Sequence, residues 1–250
     1  MTTREVDVVV VGAGFAGIYL LHRMRQLGLS TQVFEAADGV GGTWYWNRYP
    51  GARCDAESMA YSYSFDPELE QEWQWTERYA TQPEILKYLN HVTDRFNLRR
   101  DIEFNTRVTG ANYDDKTKRW SVFTDQGHKV SARFCMMATG CLSTPQNPDI
   151  AGLKNFAGPT YMTGQWPHEG VDFSGKTVGI IGTGSSAIQA IPVIAAQANH
   201  VTVFQRTPNF SVPAYNSPLD KDWVEHYKKD YPTHRDDYRQ ARVTSFGDLM

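Results

Sequence analysis

The sequence predicts an α/β protein made of two Rossmann-like, three-layer nucleotide-binding domains, the first with a β-meander insertion. Three observations predict this. A β-branched run, Val6–Val11, leads into Gly12-x-Gly14-x-x-Gly17. A second apolar run, Thr177–Ile181, leads into Gly182-x-Gly184-x-x-Ala187. Each glycine turn is followed by a helical stretch and then another short apolar run. One glycine turn alone is a weak signal, but two complete strand–turn–helix frames point to two dinucleotides on one chain, and to electrons passing between them.

The elements follow in order. Apart from Asp7, Val6–Val11 is all valine, the β-branched character of a strand buried on both faces. Gly12 makes the tight turn, Gly14 lets a pyrophosphate approach the backbone, and Gly17 lets helix and strand pack closely. Ile18–Leu27 is the helix, stopped by Gly28. Its N-terminus offers free N–H groups and partial positive charge to phosphates. Thr31–Phe34 is the next strand, and Glu35 follows it, placed to accept hydrogen bonds from ribose hydroxyls. Segment 39–55, GVGGTWYWNRYPGARCD, holds glycines and rings where a plain NAD enzyme continues with ordinary strand–helix units. We expect it to fold over a cofactor, with the N–H groups of Gly41, Gly42 and Thr43 facing it. Arg107–Tyr113, Trp120–Thr124, Lys129–Ala132 and Phe134–Ala138 read as a meander that closes back toward the first strand. Gly140 at its end permits close backbone approach.

The second frame repeats the first with one change. Thr177–Ile181 is a strand, Ile188–Ala198 a helix and Val201–Phe204 a strand. No carboxylate stands at the ribose position; Gln205-Arg206-Thr207-Pro208 does. An arginine there grips a phosphate through paired N–H groups, which favours a 2′-phosphate and hence NADPH over NADH. Farther on, Trp223–Lys229 and Arg235–Val243 read as helices.

Bulk properties remove other classes. The chain has 250 residues, 41% of them hydrophobic, enough for one large domain or two small ones. A net charge of −3 gives no basic footprint for nucleic acid. No apolar run approaches a membrane span. The N-terminus lacks an apolar signal core, so a cytoplasmic location is expected. Cys54, Cys135 and Cys141 form no CxxC pair and lack histidines at metal spacing, so we expect free thiols and no metal. Four of the seven tryptophans, Trp44, Trp46, Trp73 and Trp75, are candidates either for core or for lining a flat ring.

Between the frames lies Phe156-x-Gly158-x-x-x-Met162-x-x-x-Trp166-Pro167; a second piece is Gly42-x-Trp44, Tyr49-Pro50-Gly51 and Asp55. On these motifs the chain resembles the N-terminal part of Baeyer–Villiger monooxygenases, class B flavoproteins of the phenylacetone and cyclohexanone monooxygenase group. The resemblance covers nearly the whole chain. It implies FAD at the first site and NADPH at the second. It further implies oxygenation of ketones to esters or lactones with molecular oxygen through a C4a-peroxyflavin. Members of the family are longer, so the chain is expected to be a part of such a protein, without the active-site arginine. Within the resemblance, Asp55 is the carboxylate that tunes that arginine, and Trp44, Tyr49 and Arg53 border FAD. Gly182, Gly184, Ser185, Ser186, Gln189, Arg206 and Thr207 contact NADPH. Phe156 and Trp166 serve a hinge. The opposing reading of Asp55 is an N-cap for a helix over Ala56–Tyr63.

One residue departs from the pattern. The family motif has histidine where this chain has Met162, and a thioether donates no hydrogen bond. His168 reads as a solvent-facing loop residue. Two alternatives therefore stand beside the ketone oxidiser: an uncoupled NADPH oxidase that releases hydrogen peroxide, and a nucleotide-binding fragment without turnover. A disulfide reductase fails for want of a CxxxxC pair after the first fingerprint. The nucleotide portions are placed at 1–145 (FAD) and 149–213 (NADPH), with a helical insertion from 214 to 250. A monomer is expected. Gln71–Tyr79, rich in rings, is a candidate flap.

Overall fold

The computed structural model describes residues 4–142 and 144–247. In chain order its elements are β1 (Arg4–Val11), α1 (Phe15–Gln26), β2 (Thr31–Phe34), α2 (Thr43–Trp46), α3 (Pro67–Glu72) and α4 (Gln82–Arg95). They continue with β3 (Ile102–Glu103), β4 (Val108–Asp114), β5 (Arg119–Thr124), β6 (Lys129–Met137), β7 (Thr177–Ile181) and α5 (Ser185–Ala195). The last are β8 (His200–Phe204), α6 (Lys221–Lys229) and α7 (Tyr231–Gly247). The chain divides into two compact units that interleave in sequence. One is Met1–Tyr49 with Leu86–Val171, the other Pro50–Ile85 with Asp172–Met250.

The first unit is built on a six-stranded sheet in the order β3-β2-β1-β6-β5-β4. β1 pairs in parallel with β2 (Val10↔Val33) and with β6 (Val9↔Cys135). β5 and β4 extend the sheet antiparallel, as the meander predicts. Val8, Val9 and Val10 are fully buried, as a central parallel strand demands. Lys129–Met137 is one strand where the sequence suggested two. Arg133 interrupts the apolar pattern without breaking the strand, because its guanidinium points out to Asp7 at 3.0 Å.

α1 begins at Phe15, earlier than expected, since Gly14 already serves as its N-cap. It ends in a Schellman motif: Gly28 takes φ +72°, Leu29 N donates to Met24 O and Gly28 N to Arg25 O, both at 3.0 Å. α4 shows the i, i+3, i+4, i+7 stripe of Ile85, Tyr88, Leu89 and Val92, all buried. It closes the same way, with Asn97 at φ +48° and Leu98 N donating to Thr93 O.

The first glycine turn depends on missing side chains. Gly12 has φ +101°, and a Cβ there would lie 2.6 Å from the Ala138 carbonyl oxygen. A Cβ on Gly17 would run into the Gly12 carbonyl oxygen. In both cases the obstacle is backbone, which cannot swing aside.

The second unit contains the parallel pair β7–β8 (Gly179↔Thr202) linked through α5. α5 starts at Ser185, again because Gly184 is its N-cap, and stops at Ala195. Pro192 lies inside it. The segment after Pro213 is irregular until Asp220, whose side chain caps α6 by accepting from Trp223 N at 2.9 Å. The predicted insertion reaches 250; positions 248–250 lie outside the described residues.

α6 and α7 hold the 57–75 stretch through polar anchors. Tyr231 Oη donates to Met59 O at 2.7 Å, and Lys228 Nζ donates to Gln71 O and Trp73 O, each at 2.7 Å. Arg235 pairs with Glu70 at 2.7 Å, with side chains only 6% and 9% exposed, and donates to Ser62 O. The ring-rich Gln71–Tyr79 stretch is thereby tied down at its start, by α3 and by Lys228. Burial pushes the Glu70 carboxyl above its ordinary value, while Arg235 opposes the shift.

Two predictions follow from these contacts. Gly17→Ala should cost about 1–3 kcal/mol in urea unfolding, because the added methyl overpacks a site bounded by backbone. A variant as stable as the parent contradicts the close approach. Arg235→Met leaves Glu70 as an unpaired buried carboxylate and should cost about 3–5 kcal/mol at pH 7. A carboxyl with a raised folded pKa keeps its stability contribution below its unfolded pKa and loses it as pH rises. The Arg235→Met deficit should therefore shrink when unfolding is repeated at pH 4; a deficit independent of pH contradicts the assignment.

Candidate functional site: two glycine turns

In the first unit, the end of β1 is held on both sides. Gly12 N donates to Phe34 O at 2.8 Å and Ala138 N to Val11 O at 2.9 Å. α1 therefore starts immediately beyond the sheet edge formed by β2, β1 and β6. Its N-cap, Gly14, makes no side-chain cap, which leaves first-turn N–H groups available to a ligand. Gly42, at φ +53°, faces Gly14: a Cβ on Gly42 would lie 2.8 Å from Gly14 Cα. Backbone thus lines the cleft from two sides. The Gly42 and Thr43 N–H groups donate to no protein group among the described residues. The Gly41 N–H is different. It donates to Ala13 O at 3.0 Å, so it fastens the loop to the turn instead of facing a cofactor.

Thr43 opens the short α2, a helix not expected from sequence. Trp44 within it is 8% exposed, and Tyr49 is half-buried. Glu35 is buried and stands at the end of β2 as predicted, but its carboxylate is already engaged. Oε2 accepts from Ala13 N at 2.6 Å and Oε1 from Ala37 N at 2.8 Å. Each oxygen keeps a second lone-pair direction for a ribose hydroxyl. The glycine cradle, the uncapped helix and the buried acceptor fit the pyrophosphate and ribose of a dinucleotide.

In the same unit, Trp166 is 7% exposed and packs on Tyr161 with ring centroids 5.6 Å apart, while Phe156 is largely exposed. A Cβ on Gly158 would meet the Phe156 ring at 2.7 Å, so this glycine makes room for it. Met162 precedes a single turn of 3-10 helix, and Gln165 N donates to its carbonyl at 3.0 Å. His168 is exposed, as expected, with its ring edge-on to Tyr45 at 5.2 Å.

In the second unit, Gly182 has φ +100° and donates its N–H to Phe204 O at 2.9 Å, the counterpart of the Gly12 contact. A Cβ on Gly182 or Gly184 would meet nothing within 4 Å, so this turn is open. Ser185 and Ser186 begin α5, whose N-cap likewise has no side-chain bond. After β8 the chain carries Arg206 and Thr207, both exposed. The Arg206 guanidinium has no protein acceptor among the described residues. Sequence reading missed what supports that loop. Gln205 Nε2 donates to Thr183 Oγ1 at 2.9 Å, and Asn209 Nδ2 donates to Thr183 O at 3.0 Å and to Oγ1 at 3.3 Å. The signal available was a hydroxyl side chain between two fingerprint glycines.

Gln189 and Arg53 meet in this unit. Gln189 Nε2 donates to Arg53 O at 3.1 Å, and its Oε1 accepts from Arg53 N at 3.2 Å. Gly51, at φ +76°, lies so close that a Cβ would strike the Gln189 carbonyl. The Arg53 guanidinium pairs with Glu77 at 3.0 Å. These contacts pin the loop that carries Asp55. Asp55 itself is exposed and has no protein partner among the described residues. No helix follows it, since residues 56–63 are turns and bends, so the N-cap reading falls. The helix fails because Ala56 N bonds back to Cys54 Sγ and Ser58 N to Arg78 O at 2.8 Å.

Cys54, Cys135 and Cys141 are in no disulfide, and no metal-binding group of His, Cys, Asp or Glu exists among the described residues. No helix among them is long and apolar enough to cross a membrane.

Known proteins share this arrangement. The model of the pyridine nucleotide-disulphide oxidoreductase family matches residues 9–231. A Baeyer–Villiger monooxygenase of Pseudooceanicola batsensis is 48% identical over 228 residues, 91% of this chain and 42% of that protein. The methyl acetate-forming acetone monooxygenase of Gordonia sp. strain TY-5 is 44% identical, over 91% of this chain and 43% of its own. Among solved structures, an oxidized steroid monooxygenase bound to NADP superposes with a TM-score of 0.88 at 61% identity, covering 91% of this chain and 43% of that one. The cyclohexanone monooxygenase from Rhodococcus sp. Phi1 bound to NADP+ gives a TM-score of 0.91 at 47% identity, over 94% and 44%. The chain spans less than half the length of these relatives. With two glycine turns, an α/β architecture and these relatives, the chain belongs to the pyridine nucleotide-disulphide oxidoreductase family and is homologous to its Baeyer–Villiger monooxygenases.

Proposed function

We propose that the chain binds FAD at the first glycine turn and NADPH at the second, and serves the oxygenation of a ketone to an ester or lactone. The observation that carries this reading is the pair of glycine turns, each opening an uncapped helix, with a free arginine only after the second. When bound, NADPH supplies a hydride, and FAD passes the electrons on to molecular oxygen. The nucleotide portions are 1–145 and 149–213, followed by the helical insertion from 214.

The chain's own residues have distinct tasks in this reading. Gly12, Gly14, Gly17 and Gly42 keep side chains out of the FAD pyrophosphate path, with Thr43 N–H as a donor. Glu35 accepts from the ribose. Trp44 and Tyr49 offer flat apolar surface that excludes water near the flavin. Gly182 and Gly184 admit the second pyrophosphate, Ser185 and Ser186 donate to it, and Arg206 with Thr207 holds the 2′-phosphate. Gln189 and Arg53 fix the loop on which Asp55 stands. The Asp55 carboxylate, exposed and unpaired, is positioned by that loop to accept a hydrogen bond from a cationic group and hold its proton. Free thiols support a reducing, cytoplasmic setting, and we propose that the protein acts as a monomer.

Met162 favours one second reading. Without a hydrogen-bond donor at that place, reduction is less tightly coupled to oxygenation, and the protein releases hydrogen peroxide. The test is to load the chain with FAD, exclude oxygen and add NADPH. Bleaching of the flavin band supports the proposal, and a flavin that binds yet stays oxidised reduces the chain to a nucleotide-binding module. Oxygen and a ketone panel then separate ester formation from peroxide release. Arg206→Ala should lower the preference for NADPH over NADH by about 10- to 100-fold, the worth of charge-assisted hydrogen bonds. An unchanged preference removes Arg206 from the phosphate site.

A further inference from the structure

The loop after β8 bears the exposed Arg206, and an unbraced loop would present that side chain in many directions. Two of its residues bind back to one group. Gln205 Nε2 donates to Thr183 Oγ1 at 2.9 Å, and Asn209 Nδ2 donates to both Thr183 O at 3.0 Å and Thr183 Oγ1 at 3.3 Å. These contacts lie on either side of Arg206 and Thr207. Thr183 stands between Gly182 and Gly184, and Gly182 N is itself bonded to Phe204 O, the last residue of β8, at 2.9 Å. The loop is therefore closed onto the glycine turn by contacts at 204, 205 and 209, with Arg206 and Thr207 in the span they bracket. The first turn has no such device: Ala13 occupies the place of Thr183, and its side chain bears no polar atom. There the Ala13 N–H is bonded to Glu35, the carboxylate after β2, at 2.6 Å. The two turns thus anchor the residues after their second strands by different means, one for a carboxylate and one for an arginine.

We propose that Thr183 is a positioning residue for cofactor choice: its hydroxyl and carbonyl brace the 205–209 loop so that Arg206 meets the 2′-phosphate. The inference rests on the reading of Arg206 as the phosphate-holding residue. Ordering a loop before the ligand arrives removes that entropic cost from binding, so the gain falls on the ligand that uses the loop. NADP+ uses it through the 2′-phosphate, whereas NAD+ does not.

The experiment is calorimetric titration of the full 250-residue chain with NADP+ and, separately, with NAD+. Thr183→Val keeps the shape but removes the hydroxyl. It should weaken NADP+ roughly three- to tenfold, the effect of one or two neutral hydrogen bonds, and NAD+ by less than twofold. Thr183→Ser, which keeps the hydroxyl, should restore the NADP+/NAD+ ratio. Asn209→Ala removes the brace from outside the glycine turn and should act in the same direction, so a poorly folded Thr183→Val does not remove the test. Arg206→Ala serves as the reference. If it loses the NADP+ preference while Thr183→Val and Asn209→Ala keep the parent ratio, the brace is overturned and the Arg206 reading stands. If Arg206→Ala also keeps the ratio, the Arg206 reading fails and the brace has nothing to position.

Discussion

Everything at the first turn depends on two side chains that are not there. Gly17 must pass the Gly12 carbonyl, and Gly12 must pass the Ala138 carbonyl, with no atom between. Ala138 follows directly on β6, so the return strand of the meander closes the turn that opens the chain. Once β1 is fixed between β2 and β6, Glu35 falls within reach of Ala13 N, and α1 begins at a set distance from the sheet. The cleft against Gly42 then follows. Its polar character comes from backbone, which suits a ligand whose charge is spread over a pyrophosphate.

The second turn reaches a similar geometry under a different constraint. Gly182 needs its glycine for φ +100°, while an added Cβ would meet open space. Conformation rather than crowding selects glycine there. The two turns are alike in backbone and unlike in what surrounds them, and the difference lies in Glu35 against Arg206.

Both strand–turn–helix frames were legible in the sequence because β-branched runs bounded by glycine leave few alternatives. Thr31–Phe34 and Thr177–Ile181 fall where the pattern puts them. Other parts were less legible, for identifiable reasons. α2 is four residues long, too short for any periodicity. The apolar stripe of α4 was present at 85, 88, 89 and 92, but charged and polar neighbours dilute it. β6 was split at Arg133, where one outward charge mimics a turn. The helix after Asp55 failed because side-chain and backbone bonds of Cys54 and Ser58 outcompete local propensity. In the site, glycines were readable because their role is an absence. Polar candidates such as Glu35 and Arg206 were readable too, but the bonds that brace them were not, because the partners lie far away in sequence. Gln189 serves Arg53 across 136 residues, and Thr183 serves Asn209 across 26.

Two glycine turns on one chain should hold two different nucleotides at once. Equilibrium titration of the purified chain with FAD, followed by NADP+ on the FAD-saturated protein, tests it most directly. One FAD per chain and then one NADP+ per chain, with the flavin retained, is the expected result. A total of one nucleotide per chain, with NADP+ displacing FAD, would contradict it.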